Sequence, residues 1–401
     1  MSGIYLHIPF CKQACFYCDF HFSTSLKKKE ELISCLIKEL EIRKTALEHE
    51  TIETIYFGGG TPSLLSVSEL ERLIKTIYAN YKVAENPEIT LEANPDDLMS
   101  IGAQSGAIFK EYKEIGINRL SIGVQSFFEE DLKMMNRAHN AEEAIESIKM
   151  ARYYFDNITV DLIYGIPEMT AEKWMQNLQT VFDLGIPHIS SYALTVEPNT
   201  ALDSFIKKGK YPPLDEILAK EHFDILVSET RKNGFVQYEI SNFGKPDYFS
   251  KHNTSYWLGK KYLGIGPSAH SFNKTHRSWN VSNNSKYIQS ILENGLPSEM
   301  EKLSKNDQFN EAIMTGLRTI WGVSLAEIEA NFGLDYKIQL LASATQFIQQ
   351  ELLVITKENK QSFHVQELTS LIPPSNDIEI LKTTEKGKFL ADGLASELFR
   401  I

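Results

Sequence analysis

Cysteine is scarce in this chain, four in 401 residues, so no framework of disulfides is expected to hold it together. None is needed, because a chain of this length buries a full core without one. No apolar run approaches the length needed to cross a bilayer. The N-terminal Met-Ser-Gly-Ile-Tyr-Leu-His has neither the basic flank nor the long apolar stretch of a secretory signal. These absences favour the cytoplasm. Positive charge is also in deficit: 41 Lys and Arg against 53 Asp and Glu give a net charge of −12, which argues against nucleic acid as a partner. The basic run at 27–29 reads as a solvated helix face. No Gly-Lys-Ser/Thr follows the glycines at 58–60, so there is no P-loop, and no G-x-G-x-x-G dinucleotide fingerprint is present. The remaining composition, 42% hydrophobic, is that of a soluble globular protein with two or three domains, or one large domain and an appendage.

Three of the four cysteines sit within eight residues, as Cys11, Cys15 and Cys18 in a C-x3-C-x2-C spacing. Three thiolates on one loop can hold a 4Fe–4S cluster and leave one iron open to a substrate or cofactor. A zinc site is the rival reading, because His21 follows Cys18 by three residues and completes a Cys3His set. Structural zinc sites usually split their ligands into two pairs, so the single loop favours the cluster. The fourth cysteine, Cys35, lies in an amphipathic helical pattern and reads as an inert, half-buried thiol.

Short apolar runs at 4–8, 54–57, 89–93, 119–123, 158–163 and 189–194 predict six strands. Amphipathic stretches near 27–46, 67–80, 104–115, 140–155 and 170–184 lie between them, and another near 214–233 follows. This α/β alternation predicts a parallel sheet with right-handed crossovers. Polar or glycine residues fall at the strand ends: the cysteine loop, Gly58-Gly59-Gly60-Thr61-Pro62, Glu92 with Asn94-Pro95, Gln125-Ser126, Asp161 and Tyr192. In βα barrels such ends converge on one mouth, so a partial TIM-like (βα)6 barrel is preferred to an open doubly wound sheet. The three glycines allow close backbone approach, with N–H groups free for a carboxylate or phosphate. Beside an open iron, a ligand with an amino-acid head fits best, since it chelates through amine and carboxylate. Residues 241–282 show weak periodicity. Beyond them, helices over 305–350, a hairpin at 351–355 and 362–367 and a closing helix at 384–399 predict a small, mainly helical, winged-helix-like module. The acidic balance disfavours DNA as its ligand.

The cysteine loop, Tyr17 just before its last cysteine and Gly-Gly-Gly-Thr-Pro after the second strand resemble radical S-adenosylmethionine (SAM) enzymes of the HemN-like group. Further matching stretches are Tyr5-Leu6-His7-Ile8-Pro9-Phe10-Cys11, Glu92-Ala93-Asn94-Pro95, Gly123-Val124-Gln125-Ser126-Phe127, Arg137-Ala138-His139 and Asp161-Leu162-Ile163-Tyr164-Gly165-Ile166-Pro167. The resemblance runs through the first 280 residues, and more loosely beyond. It implies a radical SAM barrel over 1–240, a connecting segment over 241–300 and a HemN-like C-terminal module over 301–401. Cys11, Cys15 and Cys18 would hold the cluster. SAM would be ringed by Tyr5, Tyr17, Gly59, Gly60, Thr61, Glu92, Gln125, Arg137, Asp161 and Ala193. In that setting Gly59 and Gly60 face its amine, Glu92 or Asp161 its ribose or cationic groups, and Arg137 a carboxylate. The implied chemistry is one-electron cleavage of the sulfonium.

Within the group, the coproporphyrinogen decarboxylases carry a further cysteine two residues after the third, where this chain has Phe20. They also carry an arm ahead of the cluster loop, where this chain has ten residues. Both departures speak against decarboxylation. His252-Asn253-Thr254-Ser255-Tyr256-Trp257 matches the HNxxYW motif of the haem-chaperone subgroup. There, His252 or Tyr256 would ligate haem iron, Asn253 would lie in the same site and Trp257 would stack on the ring. The bland alternative is a polar turn whose aromatics pack on the barrel. The implied partners are haem and haem-acceptor proteins, with peripheral docking on membrane-bound acceptors left open. The competing readings are an oxygen-independent coproporphyrinogen III oxidase or other radical SAM enzyme acting on a tetrapyrrole, and a zinc-stabilised binding protein.

Overall fold

A computed structural model of the chain describes residues 2–99, 106–359 and 377–401. Six parallel strands stand side by side in chain order: β1 (Ser2–Ile8), β2 (Ile52–Gly59), β3 (Val83–Ala93), β4 (Arg119–Gln125), β5 (Ile158–Tyr164) and β6 (His188–Ala193). Helices Lys29–Ile42, Val67–Asn80, Ala107–Glu114, Ala141–Tyr154 and Ala171–Asp183 make the crossovers, and Glu216–Lys232 follows β6. Each predicted strand and crossover lies within about four residues of its observed place, except that β3 begins six residues earlier than expected; positions 104–105 of the third predicted helix lie outside the described residues. The helices start where the sequence supplies caps: Ser66 and Asn140 form capping boxes with Glu69 and Glu143.

Alternation along the strands sets the two faces of the sheet. Ile4, Leu6, Ile55, Phe57, Leu91, Leu120, Ile122, Val160, Leu162 and Ile189 belong to the main hydrophobic core. Between them on β1 to β6 stand Tyr5, Tyr56, Glu92, Ser121, Asp161 and Ser190, which form the inner face of the partial barrel. The core therefore lies on the outer side of the sheet, and the concave side is left for polar chemistry.

The sheet continues beyond the six strands at both edges. β7 (Val236–Gln237) pairs antiparallel with β8 (Asn242–Gly244), which in turn pairs antiparallel with β6. On the other side β9 (Tyr262–Ile265) pairs in parallel with β1. Then β10 (His270–Phe272), β11 (His276–Asn280) and β12 (Ser298–Lys302) follow antiparallel. Strands of two to five residues are too short to display a period in sequence, which is why 241–282 read as irregular. Glu39, fully buried on the first helix, ties this extension down. It accepts from the Gly266 N–H (2.8 Å), Asn280 Nδ2 (2.8 Å) and the Tyr287 hydroxyl (2.6 Å).

A second core forms around helices Lys305–Leu317, Leu325–Phe332 and Leu334–Gln349. They pack with β13 (Val323–Ser324), β14 (Leu353–Asn359) and β15 (Asp377–Thr383), which pair in the order β13–β15–β14. Helices followed by a strand pair give the expected winged-helix-like form. The partner of β14 is β15; the strand predicted at 362–367 lies outside the described residues. The closing helix is shorter than the predicted 384–399 and spans Ala391–Glu397 after a 3-10 turn. Among the described residues, no helix is long and apolar enough to cross a membrane.

Candidate functional site

The cysteine loop leaves β1 and is fastened along its length. Ser23 N–H donates to Pro9 O (2.9 Å), Cys11 N–H to Ser23 O (3.1 Å) and Phe16 N–H to Met135 O (3.1 Å). Asn136 Nδ2 donates to Ala14 O (2.7 Å). Cys11, Cys15 and Cys18 are half-buried free thiols on this loop. Burial pushes the Cys18 thiol up to about 11 and raises Cys11 as well, so loading a cluster on them releases protons. Among the described residues, no three His, Cys, Asp or Glu side chains close on one point as ligands of a single ion do. A cluster that takes its thiolates at separate corners fits three thiols spread round a loop. His21, the fourth donor of the zinc alternative, is hydrogen-bonded through Nε2 to Asn284 Oδ1 at 2.7 Å. Cys35 is more buried than expected: it lies fully inside the main core.

The residues assigned to SAM by resemblance sit on the inner face or at the C-terminal rim of β1 to β6. A chain of contacts joins several to the cysteine loop. Arg137 Nη1 donates to Cys15 Sγ (3.2 Å), and its Nη2 donates to Asn94 Oδ1 (2.6 Å) and Gly123 O (2.7 Å). Asn94 Nδ2 in turn donates to Thr61 Oγ1 (3.1 Å). Arg137 Nε is buried and unpartnered among the described residues, which suits the carboxylate expected there. Tyr17 lies beside Arg137 and the thiols, and burial raises its hydroxyl above the usual range. Gln125 closes β4 at φ +71°, a left-handed conformation that a glutamine adopts only when its surroundings impose it, and such strain gathers at functional sites. Tyr5 contacts His7 Nδ1 at 3.2 Å, and Ala193 ends β6 opposite Tyr164.

The N–H groups of Gly59 and Gly60 are not the free donors expected. The Gly59 N–H donates to Glu92 Oε2 (3.2 Å) and the Gly60 N–H to Ile8 O (2.9 Å), so neither is free for an anion. A Cβ on Gly59 would meet the His7 ring at 2.6 Å, and one on Gly60 the Phe10 carbonyl oxygen at 2.6 Å. Their smallness lets β2 pack against β1 and the root of the cysteine loop. What remains for a bound amine is carbonyl oxygen, the acceptor an ammonium needs.

Glu92 and Asp161 face the barrel interior. Glu92 accepts from the Tyr56 hydroxyl (2.8 Å), and Asp161 from Ser121 Oγ (3.3 Å). Burial, with each carboxylate opposing the other at Glu92, pushes Glu92 up to about 7; burial pushes Asp161 up to about 6. A carboxyl whose folded pKa is raised stabilises the fold while protonated. That contribution is lost as pH rises from the unfolded value, 4.5, through about 7. Relative to the parent, Glu92→Gln protein is therefore expected to gain thermal stability as pH is raised from about 5 to about 8. Melting scans of both proteins across that range check this, and a pH-independent difference contradicts it.

The HNxxYW segment is a short helix, Lys251–Trp257, capped by Ser250 and leading into β9. Its i,i+4 spacing sets His252 and Tyr256 on one side. His252 is 1% exposed. Its Nδ1 is hydrogen-bonded to Thr54 Oγ1 (2.7 Å) and its Nε2 to the Tyr256 hydroxyl (2.7 Å), and its ring stacks on Tyr56 at 4.8 Å. Burial, with Arg119 adding to it, pushes its pKa down to about 3. Glu88 accepts from the N–H groups of Lys251 (3.1 Å) and His252 (3.0 Å), pinning the helix to β3. Both ring nitrogens are engaged, and the imidazole packs at the N-terminal ends of β1 and β2 beside Gly3 and Thr54. The Arg318 guanidinium lies over the Trp257 ring at 4.9 Å, so that face is covered by the C-terminal module. Asn253 and Tyr256 are half-buried. Sequence reasoning did not assign site roles to Asn94, Tyr56, Ser121 or Arg119, although Asn94 stood in a quoted motif. Their inward placement follows the strand period once register is known.

The chain matches the Radical SAM superfamily model over residues 5–196 and the HemN C-terminal domain model over 303–361. It is 36% identical to heme chaperone HemW of Bacillus subtilis (strain 168), covering 83% of this chain and 87% of that protein. It is 33% identical to heme chaperone HemW of Lactococcus lactis subsp. lactis (strain IL1403), over 91% and 93% of the two chains. To that of Escherichia coli (strain K12) it is 37% identical over 67% and 69%. Its fold is that of coproporphyrinogen III oxidase (HemN) from Escherichia coli, with a TM-score of 0.81 at 21% identity over 99% and 90% of the two chains. With its cysteine loop, inward polar face and C-terminal winged module in place, the chain belongs to the radical SAM superfamily and, within it, to the HemW haem chaperone family.

Proposed function

We propose that this protein binds haem and passes it to acceptor proteins in the cytoplasm, carrying a 4Fe–4S cluster on Cys11, Cys15 and Cys18 and SAM on the inner rim of the barrel. The observation that carries the reading is similarity to named haem chaperones over nine-tenths of the chain's length, 91% in one relative. Phe20 adds to it: at the position of the decarboxylases' extra cysteine stands a side chain 67% exposed, with no thiol to offer. When bound, the cluster and SAM supply one-electron chemistry. The chain's own residues orient and dry the site. Arg137 holds Cys15 and keeps Nε for a carboxylate, Glu92 and Asp161 offer carboxylates to cationic or hydroxyl groups, and the half-buried Tyr5 and buried Tyr56 rings limit water. Acceptors include proteins at a membrane, reached by peripheral docking.

Anaerobically reconstituted protein is expected to bind haem, with a shifted Soret band, and to leave coproporphyrinogen III unconverted under reducing conditions. Sustained formation of protoporphyrinogen would overturn the chaperone reading in favour of the decarboxylase.

A further inference from the structure

The HNxxYW helix is closed in this conformation. His252 packs inward on Thr54 and Tyr56, with both ring nitrogens engaged. Trp257, five residues on, stands about 140° further round the helix. It lies under the Arg318 guanidinium of the C-terminal module, 4.9 Å from it. A flat macrocycle cannot be ligated by the first and stacked on the second while they face different ways. Haem binding at this helix therefore requires it to open.

Two residues in the left-handed conformation bound the segment, Asp247 at φ +71° and Gly259 at φ +60°. Asp247 is exposed, and nothing lies within 4 Å of a Cβ built on Gly259, so both can absorb a change of direction. Between them the helix is held differently at its two ends. At the start the barrel holds it: Glu88 accepts from two N–H groups, and the Tyr238 hydroxyl accepts from the Ser250 N–H (3.3 Å). At the end Tyr256 meets Tyr262 edge-on at 4.5 Å, and the module adds Arg318 over Trp257 and Glu327 near Lys260.

Arg318 has a second place to go. Its Nη1 is paired with Asp392, whose side chain is 63% exposed, and such a pair is weak in water. Its Nε is buried and unpartnered among the described residues, and so is Oε2 of the buried Glu239. Both residues line one small cavity between the β7–β8 turn and the module, and the Arg318 charge acts on the Glu239 carboxyl. A carboxylate short of donors beside a guanidinium with a spare donor is an alternative seat for that cation. The backbone is fixed here, because Thr319 bridges to Glu239 and the Ile320 N–H donates to Tyr238 O (3.0 Å). The Arg318 side chain can move while the module stays in place.

We propose that Arg318 is a two-position latch on the haem site. In the haem-free chain its guanidinium covers Trp257 and keeps the segment shut. When haem enters, the guanidinium turns to Glu239, the Trp257 face passes to the porphyrin, and the segment swings on Asp247 and Gly259 to free His252. Return of Arg318 to Trp257 competes with the porphyrin for the same ring face and so favours release to an acceptor. The proposal rests on the haem-carrier reading, with the HNxxYW segment as its site, and adds how that site opens.

The test is haemin titration of the full-length, cluster-reconstituted parent, Arg318→Ala, Asp392→Ala and Glu239→Gln, with hydrogen exchange of residues 250–258 in the haem-free proteins. Circular dichroism and iron content check each for folding. Arg318→Ala is expected to bind haemin about three- to tenfold more tightly, with the parent's bound spectrum, because a larger fraction of the chain is open. Its exchange over 250–258 should be faster than the parent's. Asp392→Ala removes the outer partner of the guanidinium and should act in the same direction; at an exposed position, it tests the latch even if Arg318→Ala does not fold. Glu239→Gln removes the charge of the second seat and should weaken binding. Haemin affinity and exchange unchanged in both Arg318→Ala and Asp392→Ala, or weaker binding by them, overturn the latch and leave the haem-carrier reading standing. Glu239→Gln protein that binds like the parent overturns the second seat. A parent that binds no haem overturns the carrier reading and the latch together.

Discussion

Cys11→Ala, Cys15→Ala and Cys18→Ala are each expected to reduce the iron bound after anaerobic reconstitution from about four per chain to near zero. The three thiols share one loop whose backbone is held at Pro9, Cys11, Phe16 and Ala14 by contacts that do not involve the sulfurs. Each substitution should therefore leave the loop in place and remove only a ligand. Two thiolates do not hold a cluster whose remaining irons face solvent. Cys35→Ala is the matched control. Its sulfur lies in the main core, 3.8 Å from the Ile288 carbonyl, on the helix Lys29–Ile42. Losing it should cost about 1 kcal/mol of packing and no iron. Iron analysis and the visible absorption of the four variants decide the matter. Full iron content in any one of the three loop variants would remove that cysteine from the ligand set.

Gly60→Ala is expected to lower both thermal stability and cluster content, more sharply than the addition of one methyl suggests. The new Cβ would stand 2.6 Å from Phe10 O, 2.9 Å from Ile8 O and 2.9 Å from Phe10 N. All three are backbone atoms, so no side chain can swing aside. Relief requires moving residues 8–10, from which the cysteine loop springs, and breaking the Gly60 N–H bond to Ile8 O. Overpacking of this kind costs about 1–3 kcal/mol. Gly393→Ala makes the comparison: it lies in the helix Ala391–Glu397 with nothing within 4 Å of its added Cβ, so it should be neutral or stabilising. Equal melting temperatures for the parent and Gly60→Ala would show that β1 and β2 tolerate separation here.

The six parallel strands were legible because each carries four or more residues of alternating or continuous apolar pattern between capped helices. The cluster loop was legible for a stronger reason: its three ligands lie within eight consecutive residues, so no long-range contact is needed to bring them together. The extension β8 to β12 was not legible. Its strands are three to five residues long, and only pairing with β1 and β6 identifies them as parts of the same sheet. Glu39 illustrates the same limit from the side of a single residue. On the helix pattern it is an ordinary charged position, yet it is fully buried because Gly266, Asn280 and Tyr287, all more than two hundred residues away in the chain, satisfy it.

Residue type and local spacing alone determined the chemistry offered by Cys11, Cys15 and Cys18, the order of strands and helices in the barrel and the helical phase that sets His252 with Tyr256. Each depends on neighbours a few residues apart, whose geometry the backbone period dictates. Register decided the rest. It engaged the N–H groups of Gly59 and Gly60 and set the two residues against His7 and Phe10. It enclosed His252 between Thr54, Tyr56 and Tyr256. A cross-strand partner is chosen by the burial of the whole sheet, and a shift of one residue would exchange the two faces, so which side chains share the site is a property of the folded sheet.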